Sequence, residues 1–326
     1  MKKKIYWIHS FNPKIKNAGI FMYNSYNKLL SKGIDIELVY VGRQNPLALL
    51  KKIYKLFKLS LVNKNIIIHC QYGSFCSLCA IILPTKNKIL SLRGSDINNI
   101  NLPFGYEKFR NILSRNISLF SIHFYKKIIS ISDRISNDLK KIYNINSIVL
   151  TDSPDSKKIF KINKKKARNY LSLDEDKIYV LFSSINLKNK IKRAELAINS
   201  IRKSQLSNKN IELLTLNNVS YDDVNYYINA CDFILLTSLS EGWPNIIKEG
   251  LVCGKPFIST DVSDLKKIAL VEKNCYIVNA TVSEISNKIL ELSKLSYENN
   301  IDTKTLSIHV KKFKFIDKLI KLYSEF

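Results

Sequence analysis

The chain has 326 residues, of which 46% are hydrophobic and 24% charged, and its formal net charge is +25. This composition excludes a disordered chain, and the length suits two domains of ordinary size. No run of 18 apolar residues occurs, so we expect no spanning helix, and the N-terminus lacks the apolar core and cleavage site of a signal peptide.

The first half of the chain alternates strand and helix patterns. The predicted elements are strand 4–11, helix 19–33, strand 35–42, helix 46–62, strand 65–71, strand 88–96, strand 126–132 and helix 133–143. Gly33 is a common kind of helix stop. Such alternation indicates a parallel, doubly wound sheet.

The second half repeats this scheme. Its predicted elements are strand 177–184, helix 192–204, strand 211–216, helix 221–230, strand 231–238, helix 245–254 and strand 256–261, with two further helices after Ser283. Between about 150 and 170 the chain is rich in Pro, Ser and charge, which is typical of a domain boundary. Neither half contains a G-x-G-x-x-G or P-loop motif, so neither a dinucleotide nor ATP is indicated.

The positive charge is concentrated in the first half. Residues 1–150 carry 24 Lys and Arg against 6 Asp and Glu. Lysine-rich codon usage explains part of the excess, but not its asymmetry, which favours an anionic partner such as a membrane surface or a nucleic acid. In helix 46–62 we expect Leu50, Ile53, Tyr54 and Phe57 on one side and lysines on the other. That helix either simply covers the sheet or also docks on anionic lipid.

The six cysteines are expected to be reduced and buried, because no signal peptide is recognised. Cys76 and Cys79 form a C-x-x-C pair within a helical pattern. No second pair or histidine stands at metal-binding spacing, so buried thiols are favoured over a zinc or redox site. His69, on a buried strand, is either a core histidine or a functional residue.

The stretch EGWPNIIKEG, residues 241–250, carries the clearest chemical signal. Glu241 lies on a loop after a predicted strand, and Glu249 lies two turns into the next helix. Ligands bind at the carboxyl ends of strands in open α/β sheets. The alternatives are that Glu241 caps the following turn and that Glu249 is a solvated helix residue.

Residues 238–264 resemble the E-x7-E signature of family-four glycosyltransferases, which have the GT-B fold. The segments 166–184, 188–197 and 221–238 resemble the family pattern in the expected order, and HCQYGS (69–74) and SLRGSD (91–96) resemble its first-domain loops. The resemblance implies two Rossmann-like, doubly wound α/β domains facing each other across a cleft. The expected domains are 1–160 on the acceptor side and 161–326 for the nucleotide sugar, with the last helix returning to the first domain.

The resemblance also implies roles for individual residues. Glu249 would accept hydrogen bonds from the ribose diol, Lys192 and Arg193 would neutralise the diphosphate, and Glu241 would face the donor sugar. The family arginine before the lysine is absent from residues 185–192, and either Lys188 or Lys190 replaces it. The implied catalytic residues are Glu241, Lys192, Arg93 and Asp96, although Arg93 and Asp96 are also candidates for a local ion pair. The implied donor-binding residues are Glu249, Arg193, Lys190, Lys188, Ser184, Gly242, Trp243, Pro244, Asn245, Ile246 and Gly19.

The implied activity is that of a retaining hexosyltransferase that needs neither a metal nor another cofactor. It would use a nucleoside-diphosphate sugar and a glycan or lipid-linked acceptor in the synthesis of bacterial surface polysaccharide or lipopolysaccharide. Its expected place is the cytoplasm, peripheral to the inner face of the plasma membrane. A sugar-nucleotide epimerase or hydrolase of the same fold is the alternative. A basic nucleic-acid-binding protein is a remote one, because no nucleic-acid motif is recognised and we expect no nucleic-acid partner.

Overall fold

The computed structural model describes residues 3–15, 18–63, 65–217, 219–298 and 300–326. The chain divides into two compact units, one formed by Met1–Asp152 with Lys314–Phe326 and the other by Ser153–Phe313. Residues 153–160, expected in the first domain, therefore belong to the second unit. The last helix belongs to the first unit.

The first unit is built on six parallel strands in the order β2-β1-β3-β4-β5-β6. Its elements are β1 (Lys4–His9), α1 (Ile20–Ser31), β2 (Ile36–Tyr40), α2 (Pro46–Val62), β3 (Ile66–Cys70), α3 (Phe75–Ile81), β4 (Lys88–Leu92), α4 (Tyr106–Ile122), β5 (Lys127–Ser130), α5 (Asp133–Tyr143), β6 (Ile148–Val149) and, at the C-terminus, α13 (Phe315–Ser324). β3 and β4 are buried along their whole length, as expected of parallel strands covered on both faces. The doubly wound arrangement predicted for this half is confirmed.

A buried polar network attaches α13 to this sheet. The Trp7 indole donates a hydrogen bond of 2.7 Å to the Tyr323 hydroxyl, which lies 2.6 Å from Nδ1 of His69. The other ring nitrogen of His69 lies 2.8 Å from the Ser91 hydroxyl. Burial holds the pKa of His69 well below its usual range, so the ring is neutral. His69 is thus a hydrogen-bonded core histidine.

The second unit contains five parallel strands in the order β11-β10-β9-β7-β8. Its elements are α6 (Lys164–Tyr170), β7 (Ile178–Ser183), α7 (Ala194–Gln205), β8 (Ile211–Leu216), α8 (Tyr221–Ala230), β9 (Phe233–Leu236), α9 (Asn245–Val252), β10 (Phe257–Ser259), α10 (Leu265–Ala269), β11 (Tyr276–Ile277), α11 (Val282–Tyr297) and α12 (Ile308–Lys311). The alternation predicted from the sequence is confirmed, and its core lies between the sheet and helices that include α7 and α11.

A buried aspartate, Asp232, lies directly before β9 and stabilises the amino-terminal end of this strand. Both oxygens of Asp232 are bonded, because Arg168 donates to one at 2.9 Å and Ser296 to the other at 2.5 Å. The backbone N–H of Tyr179 adds a third bond of 2.7 Å. A buried carboxylate is tolerated when its lone pairs are satisfied in this way. Asp232 therefore joins α6, β7 and α11.

Helix α2 is oriented differently from its predicted amphipathic arrangement. Leu50 and Tyr54 are 62% and 59% exposed, whereas Leu56 and Ser60 are buried against the unit. The helix has more apolar side chains than one of its faces can bury, so hydrophobicity alone did not identify the face that packs on the sheet.

None of the described helices is long and apolar enough to cross a bilayer. All six cysteines are free and buried, as predicted.

We expect Tyr323→Phe to destabilise the protein by about 1–3 kcal/mol, because the Trp7 indole and the His69 ring lose a shared buried partner. Urea unfolding of the whole chain measures the change. Tyr297→Phe is the matched control, since Tyr297 is largely exposed. Equal stability of the two variants would show that the network contributes nothing to α13 attachment.

Candidate active site

The topology of the second sheet marks a ligand-binding edge. β7 lies between β8 and β9, and the chain leaves β7 toward β8 and then crosses back to β9. A switch point of this kind opens a crevice at the carboxyl ends of the two central strands, here β7 and β9. The segments that follow them, 184–193 and 237–244, contain most of the predicted site residues.

These two segments are bonded to each other in both directions. The Arg193 guanidinium donates to the carbonyl oxygens of Thr237, at 2.5 Å, and Ser238, at 3.0 Å. The Thr237 hydroxyl in turn donates to the carbonyl of Lys192 at 2.8 Å, and the N–H of Leu239 donates to the carbonyl of Ile191 at 2.8 Å. Arg193 was expected to bind the diphosphate, but its side chain is turned onto the backbone.

The backbone at Arg193 supports this interpretation. Arg193 caps the N-terminus of α7 with φ +49°, in the left-handed region that non-glycine residues rarely adopt. Such a conformation persists where surrounding contacts impose it. The bonds from the guanidinium to Thr237 and Ser238 supply those contacts. Burial lowers the pKa of Arg193, but the usual value from which it is lowered is strongly basic.

The neighbouring Lys192 forms the central ion pair of the site. Its Nζ lies 2.5 Å from Oε1 of Glu241, and the Ser238 hydroxyl donates to the same oxygen at 2.7 Å. The two charged side chains are 27% and 15% exposed, so each still reaches solvent. The pair places a cation and a carboxylate side by side at the switch point, within reach of a ligand.

The loop after Glu241 is mostly packed inward. Gly242, Trp243, Pro244 and Ile246 are buried, and Asn245 is half-buried. Trp243 makes an edge contact with Phe313, with ring centroids 5.5 Å apart. The expectation that the whole loop faces a ligand is therefore too broad. Pro244, as the N-cap of α9, has no side-chain acceptor, which leaves the first N–H groups of α9 suited to an anion.

Glu249 is a buried carboxylate on α9. It is 8% exposed, and the Tyr221 hydroxyl donates to its Oε1 at 3.3 Å. Burial raises the Glu249 pKa to about 7, while nearby Lys248 and the Tyr221 hydrogen bond act in the opposite direction. The solvated-residue alternative is wrong. Tyr221 was missed, because a tyrosine at the start of a short helix carries no signal in the sequence.

Helix α9 is held close to β9 by a glycine. A Cβ added to Gly250 would lie 2.1 Å from Cδ1 of Ile234, so a larger residue there would displace the end of the Ile234 side chain.

Three other predicted residues lie on the segment after β7. Lys188 and Lys190 are exposed, and this gives no basis for choosing between them. Ser184 is buried, and its hydroxyl donates to the carbonyl of Asn186 at 2.8 Å. The hydroxyl thus stabilises the turn that carries both lysines.

In the first unit, Arg93 and Asp96 do not form the ion pair that was considered. The Asp96 carboxylate is fully buried and accepts the backbone N–H groups of Gly73, Arg93 and Gly94 at 2.8–2.9 Å. The Arg93 guanidinium is bonded instead to Asp152 and, at 2.8 Å, to the side-chain oxygen of Gln71. The sequence separation between Arg93 and Asp152 concealed this pairing.

Gly19 lies beside the switch point of the first sheet, in the turn after β1. It has φ +70° at the N-terminus of α1, and a Cβ there would lie 2.5 Å from Cγ of Phe11. Both the left-handed conformation and the packing against Phe11 require glycine. These two constraints account for Gly19 without a ligand.

Comparison with known proteins bears on the fold and on the kind of enzyme. Residues 172–294 match the family model described as Glycosyl transferases group 1. An uncharacterized glycosyltransferase of Methanocaldococcus jannaschii is 27% identical over 290 residues, which cover 84% of this chain and 79% of that protein. Sucrose-phosphate synthase from Thermosynechococcus elongatus is structurally similar with a TM-score of 0.78, at 13% identity over 99% of both chains. HepE from Anabaena, solved in complex with UDP, gives a TM-score of 0.66 at 13% identity, over 99% of this chain and 98% of that one.

At these identities the solved structures establish the fold, and the family model and the archaeal relative establish the kind of enzyme. The matched residues include both glutamates, Lys192 and the two bonded segments at the switch point. The chain therefore has the GT-B fold, and the match of its residues 172–294 to the model of group 1 glycosyl transferases, together with the archaeal relative, indicates a glycosyltransferase.

Proposed function

We propose that the protein is a retaining transferase that moves a hexose from a nucleoside-diphosphate sugar to a membrane-linked glycan. The observation that carries the proposal is the Lys192–Glu241 ion pair between the segments that follow β7 and β9, with the buried Glu249 on α9, the helix that continues the second segment. This edge is where the topology favours a ligand. The complexes of HepE with UDP and with UDP-glucose favour a donor of the same chemical class.

In this proposal Glu249 binds the ribose. An ionised carboxylate accepts hydrogen bonds from both hydroxyls of a diol, and charge strengthens those bonds. The 3.3 Å contact with the Tyr221 hydroxyl is longer than a good O–H···O bond, so a ribose hydroxyl can compete with it. Tyr221 then acts as a positioning residue that orients the carboxylate.

Lys192 and the N-terminus of α9 stabilise the leaving diphosphate. As the C1–O bond to the diphosphate breaks, negative charge grows on the phosphate oxygens, and cations or N–H donors already in place lower the barrier. Binding of the diphosphate draws Lys192 from Glu241 and lets Glu241 accept a hydrogen bond from the sugar. Arg193 acts through its bonds to Thr237 and Ser238, which hold Lys192 in position.

Transfer with retention requires the acceptor oxygen to bond to C1 on the face that the diphosphate leaves. The acceptor's proton passes to a phosphate oxygen, so atoms and charge balance without a second carboxylate acting as nucleophile. Glu241 and Glu249 are therefore not the acid and nucleophile of a glycosidase. Charge neutralisation is assigned to Lys192 and α9, so this proposal needs no metal.

The proposed acceptor belongs to a bacterial surface polysaccharide or lipopolysaccharide and is carried on a lipid. The strongly basic first half of the chain supports an acceptor held at an anionic surface. The corresponding place of action is the cytoplasmic, inner face of the plasma membrane, with the protein bound peripherally.

We expect one of UDP, GDP, ADP and CMP, at millimolar concentration, to raise the melting temperature by several degrees. A ligand at 100 times its Kd adds about 2.7 kcal/mol to the free energy of unfolding. Glu249→Ala should lose the shift while remaining folded. If no nucleotide shifts the wild type, or if Glu249→Ala keeps the full shift, the donor assignment is wrong. Donor turnover without acceptor would indicate the epimerase or hydrolase activity instead.

We expect Glu249→Gln to be more stable than the wild type at pH 8, by up to about 3 kcal/mol. The folded-state pKa of about 7 lies above the ordinary value of 4.5, so the folded protein holds an extra proton between these two values. The wild type's free energy of unfolding therefore falls as pH rises through this window. Urea unfolding at pH 5 and pH 8 tests this, with the exposed Glu298→Gln as control. A difference that does not grow with pH contradicts the buried carboxylate.

We expect Lys192→Ala to lower kcat about 100- to 1,000-fold, because the diphosphate loses its principal cation. Lys188→Ala and Lys190→Ala are the comparison pair, and the lysine that replaces the family arginine should show the larger rise in KM. Lys209→Ala, at an exposed position of the second unit, is the control. Wild-type turnover in Lys192→Ala would remove Lys192 from the mechanism.

A further inference from the structure

Helix α3 of the first unit exposes an apolar stripe. Phe75, Leu78 and Ile82 follow one another at intervals of three and four residues, which places them on one side of the helix and its C-cap. All three are exposed, and Phe75 is about half exposed at 48%. The opposite side of α3, with Cys76 and Ala80, is buried in the unit.

The neighbouring helix α4 repeats the pattern on a larger scale. Phe109, Leu113 and Phe120 are exposed along its outer side, and Phe124 continues the line after its C-terminus. Phe104, on the loop that leads into α4, is 99% exposed. Large aromatic side chains are rarely left in water in such a group unless they serve a contact.

The strand order places α2, α3 and α4 on the same side of the sheet. Connections between parallel strands are right-handed, and the chain moves in one direction from β2 to β3, then to β4 and to β5. It moves the other way from β1 to β2, which places α1 on the opposite side, where it contacts α13. We call the outward surface of α2, α3 and α4 the α2–α4 face. It also carries the exposed Leu50 and Tyr54.

The chain around the α2–α4 face is strongly basic. Residues 41–132 contain 14 Lys and Arg and two acidic residues. One of those, Asp96, is fully buried, so Glu107 is the other carboxylate. On α2 the ammonium group of Lys58 lies 4.7 Å from the centre of the Tyr54 ring, so cations and apolar side chains are mixed at close range.

We propose that the α2–α4 face docks on an anionic lipid bilayer surface. Lipid supplies both partners that the face needs, because headgroup phosphates attract the lysines and the interfacial region takes up aromatic and aliphatic side chains. A second copy of this face would bring like charges together. A nucleic acid would pair with the lysines and stack on the aromatic rings, but it would leave the exposed leucines and Ile82 without an apolar partner. The inference rests on the peripheral membrane contact of the proposed function and assigns it to particular residues, but the face belongs to the first unit alone and does not depend on the donor site.

Sedimentation with vesicles of phosphatidylglycerol and of phosphatidylcholine tests the proposal on the whole protein. We expect binding to the anionic vesicles, weakening as salt is raised, and little binding to the zwitterionic ones. Each lysine near an anionic surface contributes about five-fold in partitioning, so Lys51→Glu/Lys55→Glu/Lys58→Glu should weaken binding by more than about 100-fold. Phe109→Ser/Phe120→Ser should weaken it by at least about ten-fold.

Two matched variants in the second unit serve as controls. Lys209→Glu/Lys273→Glu/Lys304→Glu makes the same change in net charge at exposed positions, and Leu206→Ser/Leu270→Ser removes two exposed apolar side chains. Both should bind anionic vesicles as the wild type does. If test and control variants lose vesicle binding equally, the effect is due to net charge or general surface polarity, and the proposal is overturned.

Three further outcomes would also overturn it: equal binding to both kinds of vesicle, no binding to either, or a dimer in sedimentation velocity that Phe109→Ser/Phe120→Ser dissociates. The last would assign the face to a second copy of the chain. The nucleotide-dependent rise in melting temperature is measured on the same variants. Since none of the substituted residues is among the proposed donor-binding residues, its persistence separates a failure of lipid docking from a failure of the donor site.

Discussion

The reciprocal bonds between the segments after β7 and β9 are the interaction on which the rest of the site depends. Arg193 donates to the carbonyls of Thr237 and Ser238, and Thr237 donates back to the carbonyl of Lys192. Without these bonds, each segment would leave backbone carbonyls unpartnered at the end of a buried strand. Because they are made, Lys192 and Glu241 meet at 2.5 Å, although 49 positions separate them in the chain.

Buried carboxylates in this protein differ in how fully they are bonded. Asp232 is bonded by side chains and backbone from three elements, and Asp96 accepts three backbone N–H groups. Glu249 is bonded by Tyr221 at the longer distance of 3.3 Å, and burial raises its pKa to about 7. A carboxylate with unused acceptor capacity reduces stability, and a ligand that supplies donors offsets that loss.

The two units carry different kinds of surface. The proposed donor-binding residues lie on the second unit, at the carboxyl edge of its sheet, where Lys192 and Glu241 are paired and partly buried. The first unit has an outer helical layer that carries exposed aromatic side chains and many lysines. Precise geometry suits recognition of one small molecule, while a broad basic and apolar surface suits a fluid, anionic partner.

The sequence by itself determined the strand and helix alternation, the GT-B assignment and the two glutamates, because these depend on local periodicity and on one contiguous motif. It did not reveal that Arg93 pairs with Asp152, that Arg193 turns onto the backbone, that Trp243 packs against Phe313, or that Tyr221 contacts Glu249. Each of these is a contact between side chains or backbone groups that the fold brings together. The exposed side of α2 was also decided in three dimensions, since an apolar residue is buried only where a neighbouring element covers it. Tertiary structure thus determined which groups contact each other, because contacts depend on distance in space, which local sequence patterns do not encode.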